Sequence, residues 1–314
     1  MPIVQVSHFI PYLSGKLHLR EIRSSEVDTA ELVRPPILML HGAMSNGRVF
    51  YSEKGRGLAC FLAEAGFVVY VLDTQGRGLS TPKLQRGFKG GQGEVIRDQL
   101  PLIHHYILGL HPKVSQVHWC GHSWGGVLMA SAISRFPLFQ ESVASLLTFG
   151  SKRRIKVRSM KKWLMVDLGW NKLAQAIAWS HGYLAADKWR MGMDNESRQS
   201  LAQSIDWVRG DWVDHDDGFD YASAAKLVAQ NGKWPKSWFI AGLGDHVLGN
   251  PADVKRMVEE CQFKDVNYTL LSKDRGYKHD YGHAEMLTHK DAVDDHFVQV
   301  RQWYLNSHST SRNR

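Results

Sequence analysis

Residues 117–126, with the sequence VHWCGHSWGG, constrain the fold more than any other stretch of the chain. An apolar, strand-like run leads into Gly-His-Ser-Trp-Gly, and helix-forming residues follow at positions 127–133. A G-x-S-x-G motif between a strand and a helix is typical of a sharp turn that exposes a reactive serine. Gly121 and Gly125 leave room where strand and helix nearly touch. We therefore predict that Ser123 is a nucleophile at a strand end, the alternative being an ordinary glycine-rich turn.

Continuous apolar runs alternate with helical patterns on both sides of this motif. Such runs are typical of strands buried on both faces of a parallel sheet, and strand–helix–strand units imply right-handed crossovers. The sequence therefore predicts the α/β class, with a mostly parallel central sheet flanked by helices. Inner strands are predicted at residues 37–40, 67–72, 143–149, 238–242 and 267–271, an exposed edge strand at 17–22, and helices at 57–66, 94–110 and 291–304.

The central part of the chain has a different pattern. Residues 151–234 show helical patterns and no strong buried strand. We therefore predict a helical cap or lid at 151–234, inserted into a core made of residues 1–150 and 235–314.

A basic run opens this insertion. The chain has a net charge of +8, and residues 152–162 contain seven lysines and arginines and no acid. The run is interpreted either as a solvated helix face or as a docking patch for an anionic membrane surface or an acyl carboxylate. No nucleic-acid-binding motif accompanies the charge, so a nucleic-acid partner is not expected.

Several classes of protein are disfavoured. The three cysteines are far apart and fit neither a disulfide framework nor a metal site. The acidic residues 211–220 lack the closing glutamate of a calcium loop, which favours a capped loop and no metal. The sequence shows no signal peptide and no run near the ~18 apolar residues of a membrane span. We therefore expect a cytoplasmic protein.

Ser123, Asp245 and His283 occur in this order, each after a predicted strand. A serine hydroxyl needs a base within hydrogen-bond reach, and the base needs a partner that holds its tautomer. We predict that His283 is the base and Asp245 its partner. The alternatives are His246, His279 or His289 for the base and Asp73 or Asp280 for the acid.

Two backbone N–H groups are predicted to hold the negative oxygen that develops on an attacked carbonyl. One is that of Trp124, at the start of the helix after the serine. The other belongs to the loop after the strand at 37–40, with Ala43 preferred and Met44 second. Met44 and His122, beside these groups, are predicted to contact the substrate.

Taken together, these motifs resemble the α/β-hydrolase superfamily, in its serine esterase and lipase branch, over roughly residues 15–305. The resemblance implies an ester, thioester, amide or lactone substrate and no metal or organic cofactor. It also places a cap where the helical insertion is predicted. The matching pieces are residues 41–43, 73–80, 121–126, 244–246 and 282–283.

The sequence therefore predicts a serine hydrolase that cleaves carboxylic esters through an acyl-enzyme. The expected partner is a small-molecule ester with an apolar acyl part. The alternatives are an acyltransferase, a lactonase or a peptidase on the same scaffold, or a binding protein without catalytic activity, because a fold does not fix a function.

Overall fold

The computed structural model describes residues 2–156, 173–188 and 191–309. Its centre is an eight-stranded sheet with the strand order β1-β2-β4-β3-β5-β6-β9-β10. The pairs β1–β2 and β2–β4 are antiparallel, and the remaining pairs are parallel, so the predicted mostly parallel sheet is confirmed. The strands are β1 (Ile3–Tyr12), β2 (Gly15–Ser24), β3 (Ile37–Leu40), β4 (Val69–Asp73), β5 (Val117–His122), β6 (Val143–Phe149), β7 (Tyr183–Leu184), β8 (Glu196–Ser197), β9 (Lys236–Gly242) and β10 (Val266–Leu271).

Helices cover both faces of the sheet, because successive side chains of the inner strands point to opposite sides. In β3, Ile37 and Met39 join one apolar cluster, and Leu38 and Leu40 join the other. The α-helices are α1 (Leu58–Glu64), α2 (Gln92–Glu94), α3 (Leu100–Leu110), α4 (Trp124–Arg135), α5 (Pro137–Ser142), α6 (Gln175–His181), α7 (Arg198–Arg209), α8 (Tyr221–Gln230), α9 (Pro251–Cys261), α10 (Glu285–Thr288) and α11 (His296–Ser309).

Two predicted elements differ from the structure. The strand predicted as an exposed edge, β2, lies between β1 and β4 and is largely buried, since β1 covers its outer side. The helix predicted at 291–304 is broken at Asp295, where φ is −127° and ψ is −112°. A short 3₁₀ turn, Lys290–Asp294, precedes the break and α11 follows it.

The helix predicted at 94–110 also contains an irregularity. A wide π turn, Val95–Gln99, follows α2 and leads directly into α3. Pro101 lies in the first turn of α3, where the missing N–H of proline is tolerated.

Within the insertion, α6, α7 and α8 and the small β7–β8 ribbon are described. A separate apolar cluster joins Ala178, Leu184, Leu201 and Ile205. Residues 157–172 and 189–190 lie outside the described residues, and the assignment of the insertion as a lid remains a prediction. No helix in the described parts is long and apolar enough to cross a membrane.

The beginning of the basic run is not a solvated face. Lys152 and Arg153 are buried, with 5% and 1% of their surfaces exposed. The Arg153 guanidinium pairs with Glu260 and donates to the carbonyls of Trp207 and Gly210. These two charges are therefore unavailable to a membrane surface, and residues 157–162 of the predicted patch lie outside the described residues.

Candidate active site

A strained turn between β5 and α4 carries Ser123. Its φ of 53° and ψ of −123° are unusual for a residue with a side chain. A Cβ on Gly121 would lie 2.4 Å from the Cα of Gly126, and one on Gly125 would lie 2.4 Å from the carbonyl oxygen of Leu40. The two glycines are therefore required for the close approach of strand and helix that the turn needs.

Ser123, His283 and Asp245 form one hydrogen-bonded chain. The Ser123 hydroxyl lies 2.8 Å from Nε2 of His283 and donates to it. On the other side of the ring, the Nδ1–H of His283 donates to Oδ2 of Asp245 at 2.5 Å. The structure thus brings together the three predicted side chains, and their catalytic role remains a prediction.

The end of β9 brings Asp245 to the loop that carries His283. A Cβ on Gly242 would lie 2.1 Å from the carbonyl oxygen of Tyr281, and one on Gly244 would lie 2.1 Å from that of Asp280. The backbones of the two segments therefore touch, which only glycines permit. This contact places the carboxylate after β9 beside the imidazole after β10.

The surroundings of Asp245 favour its ionised form. Burial alone raises the pKa of this carboxyl, but the hydrogen bond from His283 and the charges of His283 and Lys152 lower it below its ordinary value. Burial lowers the pKa of Lys152 to about 8, against the opposing attraction of Asp245. The Lys152 ammonium lies 5.8 Å from the ring centre of Trp124. A buried cation that the sequence analysis treated as part of a surface patch thus lies close to the site.

His122, which is predicted to contact substrate, hydrogen-bonds to the backbone of His283 and packs beside its ring. Its Nε2–H donates to the backbone carbonyl of His283 at 3.2 Å, and the two ring centres lie 4.9 Å apart. Burial, aided by the neighbouring His283, lowers the pKa of His122 to about 3, so the ring is neutral. Its contact with substrate remains a prediction.

The loop after β3 lies against the serine. A Cβ on Gly42 would come within 2.8 Å of the Cβ of Ser123, which places Ala43 next to the turn. His41 fixes this loop, because its Nδ1–H donates to the Gly42 carbonyl at 2.9 Å and its Nε2 accepts from the Thr74 N–H at 3.2 Å. Burial lowers the pKa of His41, which keeps this ring neutral as well.

Of the two predicted donors in this loop, Met44 is already engaged. Its N–H donates to Glu196 at 3.2 Å, and its φ is 50°. Ala43 and Trp124 both line a cavity at this edge of the sheet. This arrangement favours Ala43 over Met44 as the second donor.

Comparisons with known proteins agree on the fold. A family model described as the alpha/beta hydrolase fold matches residues 35–187. A soluble variant of monoglyceride lipase from Saccharomyces cerevisiae, solved in complex with a substrate analogue, has a TM-score of 0.67 at 13% identity, over 97% of this chain and 96% of that chain. The chain has the α/β-hydrolase fold.

Other solved structures that share this fold carry names of different activities. A thioesterase domain from the curacin biosynthetic pathway matches with a TM-score of 0.57 at 15% identity, over 96% of this chain and 99% of that chain. A haloalkane dehalogenase from Bradyrhizobium elkani matches with a TM-score of 0.58 at 15% identity, over 98% of this chain and 100% of that chain. No curated protein matches in a sequence search. The fold alone therefore does not identify the reaction, which depends on the residues of the site.

The alternative acids and bases are either paired with other groups or exposed. Asp73 accepts from His18 Nδ1 at 2.8 Å and from two backbone N–H groups. Asp280 accepts from the Lys273 N–H at 2.8 Å. His279 pairs with Asp291 at 2.7 Å, and His246 is exposed. None of these contacts involves Ser123.

An acidic segment that the sequence analysis missed holds the loop after β3 in place. Residues 193–196, here called the latch, reach this loop through the N–H groups of Met193 and Asp194, which donate to the Met44 carbonyl at 2.8 and 3.2 Å. Asp194 accepts from Asn46 Nδ2 and from the Gly78 N–H, both at 2.7 Å. No motif marks the latch, because its role depends on contacts about 150 residues away in the chain.

Glu196 is the most buried acid of the latch. One of its carboxylate oxygens accepts from the Met44 N–H, and the other pairs with Arg77 at 2.5 Å. Its side chain is 2% exposed and that of Arg77 is 9% exposed. This buried ion pair ties the latch to the loops after both β3 and β4.

Among the described residues, His279, His289 and Asp291 are close enough to hold a metal ion, with ligand atoms within 4.8 Å of one another. The hydrogen bond between His279 and Asp291 accounts for part of this arrangement. The acidic stretch at 211–220 is a capped loop, as predicted. There Asp220 accepts from the Ser223 N–H at the start of α8, and Asp214 pairs with Arg97.

Proposed function

We propose that this α/β-hydrolase is a serine hydrolase that cleaves carboxylic esters through an acyl-enzyme. The observation that carries the proposal is the hydrogen-bonded chain from the Ser123 hydroxyl through His283 to Asp245. A serine in this setting loses its proton to the imidazole as it attacks a carbonyl carbon, and the carboxylate stabilises the imidazolium that forms.

The same geometry serves both halves of the reaction. His283 passes the proton to the departing alcohol, which leaves the acyl group on Ser123. Water then attacks the acyl-enzyme with His283 as the base, and the serine is released. The N–H groups of Ala43 and Trp124 would hold the oxyanion in both steps, and loss of one such donor typically costs ~10²–10³ in rate.

The lipase and thioesterase among the structural neighbours support ester chemistry only at the level of the fold, because their identity to this chain is 13% and 15%. The site supplies the more specific support, because a serine occupies the turn where an aspartate or cysteine nucleophile could also stand. An acyltransferase would form the same acyl-enzyme and would differ from a hydrolase only in the second step, where an alcohol or amine attacks instead of water.

The test is the hydrolysis of short p-nitrophenyl esters by the wild-type protein and by Ser123→Ala. We expect turnover to fall by at least about 10³-fold in the variant, with the circular dichroism spectrum and the unfolding midpoint retained. Ser115→Ala, at an exposed serine before β5, is the matched control and keeps wild-type turnover.

A phosphonate ester probe gives a second readout. Its mass should add to the wild-type protein at Ser123 and not to Ser123→Ala. Equal turnover by both proteins, or labelling elsewhere in the chain, would overturn the assignment of the nucleophile. Absence of both turnover and labelling would favour a binding protein.

A further inference from the structure

Two buried donors point to a ligand that the hydrolase chemistry alone does not require. Nη1 of Arg77 and Nε2 of Gln92 have no hydrogen-bond partner among the described residues. Both side chains line the cavity beside Ala43 and Trp124. Arg77 is 7% exposed and Gln92 is 1% exposed. Because buried polar groups in native proteins are nearly always hydrogen-bonded, these two donors require an explanation.

The orientation of each donor is fixed by the other end of its side chain. Oε1 of Gln92 accepts from the indole N–H of Trp124 at 2.7 Å, so the amide NH₂ is the free end. Nη2 of Arg77 is held by Glu196 at 2.5 Å, which leaves Nη1 unpaired. The cavity is therefore lined by two unpaired hydrogen-bond donors, and a ligand oxygen that accepts hydrogen bonds would pair with them.

The charges around the cavity favour an uncharged acceptor over a carboxylate. The positive charge of Arg77 is already matched by Glu196. Asp194, which accepts from the Gly78 N–H next to Arg77, adds a second negative charge nearby. His41, which also lines the cavity, is buried and neutral. A substrate carboxylate would therefore meet no unmatched positive charge among the residues that line the cavity, and burying it there is costly.

We propose that this cavity is a recognition subsite for an uncharged oxygen, a carbonyl or a hydroxyl, that the ester substrate carries away from its scissile bond. The proposal rests on the proposed function and deepens it. Leu84, Phe88 and Val95 line the same cavity and suit a short alkyl segment. The substrate is therefore an ester whose apolar chain carries an added polar oxygen, which extends the prediction of an apolar acyl part.

The first experiment measures binding without turnover. The Ser123→Ala variant is titrated by calorimetry with p-nitrophenyl hexanoate, with p-nitrophenyl esters of the oxo-hexanoic acids, and with the p-nitrophenyl monoester of adipic acid. A parallel set uses butyrates of the matching alkyl and oxo-alkyl alcohols, because the subsite can serve the acyl or the alcohol side. At least one oxo ester should bind about tenfold more tightly than its methylene counterpart, the ratio expected for hydrogen bonding to a desolvated donor. The adipate monoester should show no such gain.

The second experiment removes the donors separately, each in the Ser123→Ala background. Gln92→Glu keeps an acceptor for the Trp124 indole and removes the free NH₂, and Arg77→Lys keeps a positive charge for Glu196 and removes the guanidinium fork. Each should abolish most of the preference for the oxo ester. Gln302→Glu, at an exposed position on α11, makes the same chemical change away from the cavity and should retain the preference.

Equal binding of all the esters, or a preference that survives both substitutions, would overturn the subsite. A larger gain for the adipate monoester would overturn the choice of an uncharged acceptor. Because binding is read in a variant that cannot form the acyl-enzyme, these outcomes are independent of turnover. Failure of the wild-type protein to hydrolyse any ester would count against the proposed function alone.

Discussion

At the scale of single residues, Ser123 occupies a conformation that the chain has to stabilise. A side-chain-bearing residue at a φ of 53° costs about 1–3 kcal/mol. The Ser123 N–H donates to the Phe149 carbonyl at 2.8 Å, and the start of α4 fixes the next residue. The strain is therefore held by hydrogen bonds and by close backbone contacts that the adjacent glycines allow.

Gly125→Ala tests this dependence. The added methyl group would lie 2.4 Å from the carbonyl oxygens of both Leu40 and His41. We expect the free energy of unfolding to fall by roughly 1–3 kcal/mol, the range typical of an overpacked core, and ester turnover to fall with it. Both are measured by urea unfolding and p-nitrophenyl ester assays.

Gly109→Ala is the matched control. This exposed glycine in α3 has no atom within 4 Å of the added methyl group. Because alanine favours a helix over glycine by about 1 kcal/mol, the control should be as stable as the wild type or more stable. A Gly125→Ala protein of wild-type stability would show that the strand and helix can separate without cost.

At the scale of elements, the latch and the two strand-end loops form one unit. Residues of the latch bond to Met44, Asn46, Arg77 and Gly78, which lie after β3 and β4. The loop that would supply an oxyanion donor is therefore positioned by a segment from the insertion. When the latch is weakened, kcat for ester hydrolysis and the unfolding midpoint should therefore fall together.

Glu196→Gln weakens the latch without changing its size. The variant removes the carboxylate that pairs with the buried Arg77 guanidinium, and loss of one partner of a buried pair typically costs roughly 3–5 kcal/mol. We expect a large fall in the unfolding midpoint and a reduced kcat, because the loop that carries Ala43 loses its fixed position. Glu53→Gln breaks the exposed pair with Arg48 and serves as the control.

The comparison of the two variants decides the role of the latch. Glu53→Gln should leave both the unfolding midpoint and kcat at their wild-type values. If Glu196→Gln behaves in the same way, the latch does not position the loop. A loss of stability with an unchanged kcat at a temperature where the variant is folded would limit the latch to a structural role.

At the scale of the whole molecule, buried neutral histidines make folding sensitive to acid. Burial lowers the pKa of His104 to about 4, that of His122 to about 3 and that of His296 to about 4, from an ordinary 6.5. Between pH 6.5 and pH 4 the unfolded chain takes up protons that the folded chain does not. The free energy of unfolding therefore falls as the pH falls through this range.

His104→Gln isolates one of these contributions. Glutamine can still accept from the Trp119 indole N–H, which lies 3.1 Å from His104 Nδ1, but it does not titrate. A tenfold difference in proton affinity is worth about 1.4 kcal/mol, so the loss of stability between pH 7.5 and pH 4.5 should be smaller in this variant by on the order of 2 kcal/mol. Urea unfolding at the two pH values measures it.

An exposed histidine at the end of α6 provides the control. His181→Gln should show the pH dependence of the wild type, because the substitution leaves the three buried rings unchanged. A wild-type protein equally stable at pH 7.5 and pH 4.5 would contradict the neutral, buried state of these rings. A reduced pH dependence in His181→Gln alone would assign the effect to the surface.

Local patterns were sufficient to predict the sheet, the turn and the three side chains beside it. Apolar runs such as 37–40 identify inner strands because both of their faces must be buried, and G-x-S-x-G is a local requirement of one sharp turn. The order Ser123, Asp245, His283 could be read because parallel strands end at one edge of the sheet. Serine, histidine and aspartate are also the residue types that a hydroxyl nucleophile, its base and the acid that orients the base require.

Only the tertiary structure decided which residues surround Ser123, Asp245 and His283. The burial of Lys152 beside Trp124, the latch at Glu196 and the unpaired donors of Arg77 and Gln92 all depend on contacts between distant segments. Sequence periodicity and residue spacing do not reveal such contacts, because lysine and glutamate are usually exposed and are buried only when a partner packs against them. The sequence determined the scaffold and the proposed reactive groups, whereas the three-dimensional packing of distant loops determined the shape and polarity of the cavity beside them.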